Sequence, residues 1–315
     1  PRFAAIREAL LFDPSPLNPG VSIGWVFILV GIGFKVAAVP FHMWAPDVYE
    51  GAPFPVTAYL AIASKAAAFA LVLRLFAEAF LPAVDQWQIV VAVLAAVTML
   101  GGNLVALAQH NIKRLMAYSG IGQVGIILTG IAALSANSIL PASGVMLYVV
   151  GYSITNMLVF AGLISFFNMT GKDEIPDFRG LADGQPFLAA TIAIGLFSLG
   201  GLPIFAGFTI KFYLFTALAS QGLLWLAGLA FFSSLISLYY YLQVIRQMYI
   251  RPVEEVAEAI AGGEVYIPEG TDASTSPLIL AVQAVTLVGV FWVGVYPAPF
   301  LMVIDAASHA ILPGL

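Results

Sequence analysis

Residues 187–220 read FLAATIAIGLFSLGGLPIFAGFTIKFYLFTALAS, and Lys211 is the single charged residue in the run. A helix needs roughly 20 apolar residues to cross the hydrocarbon core of a bilayer. This stretch is therefore too apolar for a water-facing surface and too long for one straight crossing. Gly200-Gly-Leu-Pro203 sits in its middle. A proline there removes one backbone hydrogen bond and collides with the preceding turn, while the glycines loosen the helix. The expected structure is a membrane helix broken at Gly200, Gly201 and Pro203, with Lys211 about two turns beyond the break. Broken helices at membrane depth are tolerated where they face protein or a hydrated cavity, and they often mark ion paths. A packing kink is the plainer alternative.

Seven further stretches carry the same apolar signature: 21–41, 55–76, 89–109, 115–134, 140–167, 223–249 and 277–295. Breakers separate them, among them Gly51-Ala-Pro53, Pro82, Gly171, Gln185-Pro186 and Gly222. The whole chain is 61% hydrophobic and 9% charged, against about 25% charged residues in soluble domains. Lipid offers backbone groups no hydrogen-bond partners, so helices are the expected crossing elements. The fold class is thus an all-α membrane protein, a polytopic bundle of about eight transmembrane helices in one membrane domain over 1–315. Two helices are expected to be broken, near Pro40 and near Pro203. Residue 1 is Pro, which suggests a piece of a longer polypeptide.

Orientation follows from the basic residues. Loops after the first, third, fifth and seventh spans hold Lys113, Arg114, Lys172, Arg179, Arg246 and Arg251; the other side holds Arg2, Arg7 and Arg74. The first side is expected to be cytoplasmic. The acidic segment 251–276 then reads as a solvated cytoplasmic loop. There is no cysteine, which excludes disulfides and thiolate-bound clusters or metals. Three scattered histidines make a metal site improbable, so no metal-binding and no cofactor-binding residue is assigned. No nucleotide-binding or nucleophile–base motif is present, and nothing suggests a nucleic-acid partner.

Lys35, Lys65 and Lys211 fall inside the apolar spans. A lysine at a helix centre costs about 2.5–3.5 kcal/mol on insertion scales. Burial disfavours the ammonium and a nearby carboxylate favours it, so a lysine held between these influences can load and release a proton. The plainer reading is that each lysine snorkels to an interface or pairs permanently with an acid. Snorkelling would serve Lys35 if its helix ends near Pro40, and would serve Lys65 and Lys211 poorly. None of the 17 acids sits mid-span. Either Lys35 and Lys65 are neutral, or a carboxylate reaches them from a helix outside this sequence, which is the preferred reading. His42, after the Pro40 break, is a possible shuttle or gate. Ser64, Gln123, Tyr148 and Asn156 are candidates for holding water, or for simple bonds between helices.

Several motifs carry a family resemblance. Residues 34–53, FKVAAVPFHMWAPDVYEGAP, closely resemble the antiporter-like membrane subunits of respiratory complex I, and PDVYEG at 46–51 resembles the branch called subunit N, or subunit 2. Further matches are ASKAA at 63–67, NIKRLMAYS at 111–119, RGL at 179–181 and SLGGLPIFAGF at 198–208. The resemblance spans nearly the whole chain and implies that these spans are the seventh to fourteenth of fourteen. It implies that Lys35, Lys65 and Lys211 are proton-relay lysines and that the acidic partner of Lys35 lies on an earlier helix. One departure is Gln123, where many relatives carry a titratable His.

The resemblance further implies a translocase subunit without a redox centre. Quinone, FMN and iron–sulfur clusters would reside elsewhere in the complex, and other membrane subunits and the lipid bilayer would be its partners. The cell inner (plasma) membrane or a thylakoid-type membrane is its expected home. The rival readings are a subunit of a multi-subunit Na+/H+ antiporter, a non-pumping membrane scaffold, and a carrier whose lysines bind an anion.

Overall fold

The computed structural model describes residues 3–12, 19–249 and 276–312, and among them the fold is all helix, with only two isolated β-bridges. The expected acidic loop at 251–276 lies almost wholly outside the described residues. Short helix α1 (Phe3–Phe12) precedes α2 (Pro19–Val36), which stops at a non-helical segment over residues 37–43. Helix α3 (Trp44–Gly51) follows. The next spans are α4 (Phe54–Ala79), α5 (Val84–Ala106), α6 (Ile112–Ala132) and α7 (Leu140–Thr170). The broken span consists of α8 (Pro186–Gly200) and α9 (Ala206–Ser220), and α10 (Leu224–Tyr249) and α11 (Pro277–Val295) complete the crossings. A last helix, α12 (Ala298–Ile311), follows them. Among the described residues, six helices are individually long and apolar enough to span a membrane. The α8–α9 pair, and α2 with its break, supply the other two. The protein is a multi-pass membrane protein.

Both expected breaks are present, and each is a full stop rather than a kink. At the first, Ala37 takes φ 60° and the Val39–Pro40 peptide is cis. The freed backbone is satisfied from neighbouring elements: Val39 N donates to Thr98 Oγ1 of α5 at 3.1 Å, and Trp44 Nε1 donates to the Phe34 carbonyl at 3.0 Å. Thr98 stands eight residues before the end of α5, about 12 Å inside that end at 1.5 Å per residue, so the break packs against the interior of that span. At the second, Gly201 adopts φ 90° and Ile204 φ 80°. Gly207 then brings α9 against the end of α8, where a Cβ would lie 1.6 Å from the Ser198 carbonyl oxygen. Gly207 N donates to Ser198 Oγ at 3.0 Å.

The core is built around α6, whose described side chains are all buried except that of Arg114. Without a hydrophobic drive between helices in lipid, close packing depends on small residues. A Cβ on Gly102 of α5 would sit 2.5 Å from the Gly122 nitrogen, and one on Gly125 would sit 2.3 Å from the Met99 nitrogen. These contacts let α5 and α6 pack backbone to backbone.

Three features differ from the sequence expectation. The third span begins earlier than residue 89, because Pro82 occupies the first turn of a 3-10 segment, Leu81–Ala83, that leads directly into α5. Helices α1 and α12 had no counterpart among the expected spans; Ser143 of α7 donates to Asp305 Oδ1 of α12 at 2.7 Å. The second span also contains two π-helical turns, Leu60–Ser64 and Leu75–Ala79.

Candidate functional site: a lysine pair joined by a polar track

Lys65 directly follows the first of these π turns, and it is 5% exposed. Its Nζ packs on the bare backbone of α6: a Cβ on Gly120 would lie 2.5 Å from Lys65 Nζ and 3.4 Å from Tyr152 Oη. The Tyr49 ring lies on another side, its centroid 5.9 Å from Nζ. Lys65 is thus held among a glycine, two tyrosines and apolar walls.

Lys211, 4% exposed, projects from α9 back across the break. Its Nζ donates to the carbonyls of Leu199 at 2.7 Å and Gly200 at 3.2 Å. These are orphan acceptors at the end of α8, where the helix dipole is negative. The break therefore makes a cation-favouring spot at membrane depth, set against the burial that opposes charge.

Polar side chains occupy the space between the lysines, and from Tyr148 to Lys211 they are linked by hydrogen bonds. Tyr152 and Tyr148 lie one turn apart on α7, and Tyr148 Oη donates to Gln123 Oε1. Gln123 Nε2 donates to the Leu199 carbonyl at 3.3 Å, the same oxygen that Lys211 holds. Beside this chain Ser119 bonds Tyr241, Tyr240 Oη donates to Asn103 Oδ1 at 2.8 Å, and Asn103 Nδ2 donates to Ser233 Oγ at 2.6 Å. Among the described residues, no ion pair involves Lys65 or Lys211.

The other expected residues are distributed unevenly. Lys35 is not buried: it lies in the last turn of α2 on an exposed face, with the exposed apolar side chains of Phe27 and Phe34 on the same helix. Burial depends on what stands opposite, and the described residues leave this face of the helix exposed. His42 lies in the first break, half-buried, with its ring 6.4 Å from that of Tyr118 and Nδ1 buried without a partner among the described residues. Asn156 bonds the Tyr152 carbonyl of its own helix at 2.9 Å. Ser64 is half-buried at the end of the π turn and forms no side-chain hydrogen bond among the described residues. Sequence reasoning missed Tyr49, Asn103, Ser119, Tyr240 and Tyr241. The hydroxyl-bearing run Tyr239-Tyr-Tyr241 inside an apolar span was the available signal.

Known proteins resemble this chain over most of its length. A family profile described as NADH:quinone oxidoreductase/Mrp antiporter, TM, matches residues 3–237. NADH-quinone oxidoreductase subunit N of Moorella thermoacetica is 43% identical over 282 residues, covering 90% of this chain and 56% of that protein. NAD(P)H-quinone oxidoreductase subunit 2 of Crocosphaera subtropica is 41% identical over 287 residues, covering 90% and 54%. The chain thus spans a little over half the length of these curated relatives. A chain of respiratory complex I from Thermus thermophilus with bound aureothin aligns with TM-score 0.72 and 29% identity, over 95% of this chain and 64% of that one. A chain of the Mrp complex of a Dietzia species aligns with TM-score 0.83 over 99% of this chain and 62% of its own, and at 20% identity shares the fold.

Proposed function

The chain belongs to the NADH:quinone oxidoreductase/Mrp antiporter membrane family, and from that premise we propose that it is the larger part of a proton-translocating subunit of a quinone-reducing complex. One observation carries the reading. Two buried lysines without ion-pair partners among the described residues stand at the ends of a track of tyrosine, glutamine and backbone acceptors. Neutral hydroxyls and amides, together with water, can pass a proton between amines.

The subunit acts as part of a translocase whose electron transfer occurs in other subunits. FMN, iron–sulfur clusters and quinone belong to those subunits, and a chain without cysteine supplies no thiolate for a cluster. Other membrane subunits of the complex are its partners, in a bacterial plasma membrane or a thylakoid. The exposed Lys35 side chain, among exposed apolar residues, fits a face covered by further helices of the same subunit, one of which brings the carboxylate that pairs with it. His42 stands on the cytoplasmic side of the Lys35 break as a gating group.

Moving one proton against 100 mV costs about 2.3 kcal/mol. A change of one pKa unit is about 1.4 kcal/mol, so modest movements around a lysine suffice to gate transfer. The test is Lys65→Met and Lys211→Met in the full-length subunit, with proton uptake and quinone reduction followed together in inverted membrane vesicles. Each substitution is expected to lower proton uptake per quinone reduced. Uptake at the parental ratio in both would overturn the proposal and leave a scaffold. Uptake that vanishes in sodium-free buffer would instead favour sodium/proton exchange.

A further inference from the structure

We propose that Tyr49 is a positioning residue for the Lys65 amine, and that Arg114 holds it in place by gripping the opposite face of α3. The proposal rests on the reading of Lys65 as a proton site. Helix α3 is eight residues long, bounded by the non-helical segment 37–43 and by Ala52-Pro53. Its inner face carries Tyr49, 1% exposed, whose ring lies within cation–π reach of Lys65 Nζ. Its outer face carries Asp47 and Glu50, which both meet Arg114 Nη1, at 2.8 and 2.6 Å. One short helix therefore has an ion-paired face and a lysine-facing ring.

The second wall of the lysine slot comes from the helix that does the gripping. Arg114 and Gly120 both belong to α6. Gly120 leaves no room for a side chain, since a Cβ there would meet Lys65 Nζ at 2.5 Å. The far end of α3 is held by Thr57 Oγ1, which donates to the Tyr49 carbonyl at 2.9 Å, and by Lys113 Nζ, 3.4 Å from the Ala52 carbonyl. Thus the amine lies between a ring set by α3 and bare backbone set by α6, with the Arg114 pairs fixing the distance between those helices.

The chemistry gives the slot a consequence. The negative face of an aromatic ring attracts an ammonium and has no comparable hold on the neutral amine. A ring held over Nζ biases Lys65 toward its loaded state; a ring that moves away with α3 releases that bias. The Arg114 pairs, near the membrane surface, would in this way act on proton occupancy at Lys65.

The test uses the full-length subunit in its native membranes, reading proton uptake per quinone reduced together with the amount of assembled complex. Lys65→Met comes first: parental pumping in that variant overturns the parent reading, whatever the others do. With Lys65→Met impaired, Tyr49→Leu, Gly120→Ala and Arg114→Gln are each expected to cause a severalfold loss in the ratio, while Tyr49→Phe, which keeps the ring, restores it. Parental pumping in Tyr49→Leu overturns the inference, as does a Tyr49→Phe variant as impaired as Tyr49→Leu. If Tyr49→Leu fails to assemble, Arg114→Gln decides, because it alters a partly exposed side chain; an undiminished ratio there overturns the coupling.

Discussion

Lys211 Nζ lies 2.7 Å from the carbonyl oxygen of Leu199, twelve residues back along the chain and across the α8–α9 break. The same oxygen accepts from Gln123 Nε2 at 3.3 Å. A lysine on one half-helix thus caps the other, and a helix end that would otherwise leave the Gly200 carbonyl unsatisfied becomes the terminus of the polar track. The break and the lysine are one device.

Replacing Lys211 separates its two roles. Lys211→Met removes the donor to Leu199 and Gly200, a loss worth about 1–3 kcal/mol for buried acceptors, and removes the proton-carrying group. Lys211→Arg keeps a donor but cannot be deprotonated in a protein. Both variants are expected to lose proton uptake per quinone reduced, with Lys211→Met showing the lower thermal midpoint in the solubilised complex. Pumping retained in Lys211→Arg would show that the residue acts only as a cap.

Gln123 stands between two fixed polarities, accepting from Tyr148 and donating to Leu199. Gln123→Leu leaves the buried Tyr148 hydroxyl without its acceptor, at about 1–3 kcal/mol, and cuts the track. Gln123→His can accept at one ring nitrogen and donate at the other. Proton uptake is expected to fall in the leucine variant and to persist in the histidine variant. Equal uptake in all three proteins would mean that the path bypasses this side chain.

The crossings were legible in the sequence because lipid imposes length and apolarity together, and both breaks were legible because Pro40, Gly200, Gly201 and Pro203 interrupt that pattern. The burial of Lys65 and Lys211 accords with their place along the spans. The exposure of Lys35 was hidden, since it depends on a surface contributed by residues other than its own neighbours. The grip of Arg114 on Asp47 and Glu50 joins residues 67 and 64 positions apart, a distance no local pattern reports. Helix α12 escaped notice because Tyr296-Pro-Ala-Pro299 reads as the end of a helix, whereas its prolines begin the next one.

Gly207→Ala tests the close approach of the two half-helices. A methyl group would be placed 1.6 Å from the Ser198 carbonyl oxygen, a backbone atom that cannot rotate aside. Overpacking of this kind costs about 1–3 kcal/mol and occasionally more. The α9 end is expected to be displaced, lowering the thermal midpoint of the solubilised complex and moving Lys211 from its acceptors. Gly228→Ala is the comparison, because a Cβ there meets nothing within 4 Å; its thermal midpoint is expected to match the parent.

Asn111 caps α6, with Oδ1 accepting from the backbone nitrogens of Lys113 at 2.9 Å and Arg114 at 3.2 Å. Replacing such a cap with alanine costs about 1 kcal/mol. The site also joins the 171–185 loop, since Asn111 Nδ2 donates to Glu174 Oε1 at 3.3 Å and Ile112 N donates to the Asp173 carbonyl at 2.9 Å. Asn111→Ala loses both the cap and the Glu174 bond, whereas Asn111→Asp keeps the cap and sets a carboxylate against Glu174. Both variants are expected to be less stable than the parent in thermal denaturation. Raised salt, which screens repulsion between partly exposed charges, should recover stability in Asn111→Asp alone; recovery of Asn111→Ala to the same extent would assign the loss to a cause other than the Glu174 carboxylate.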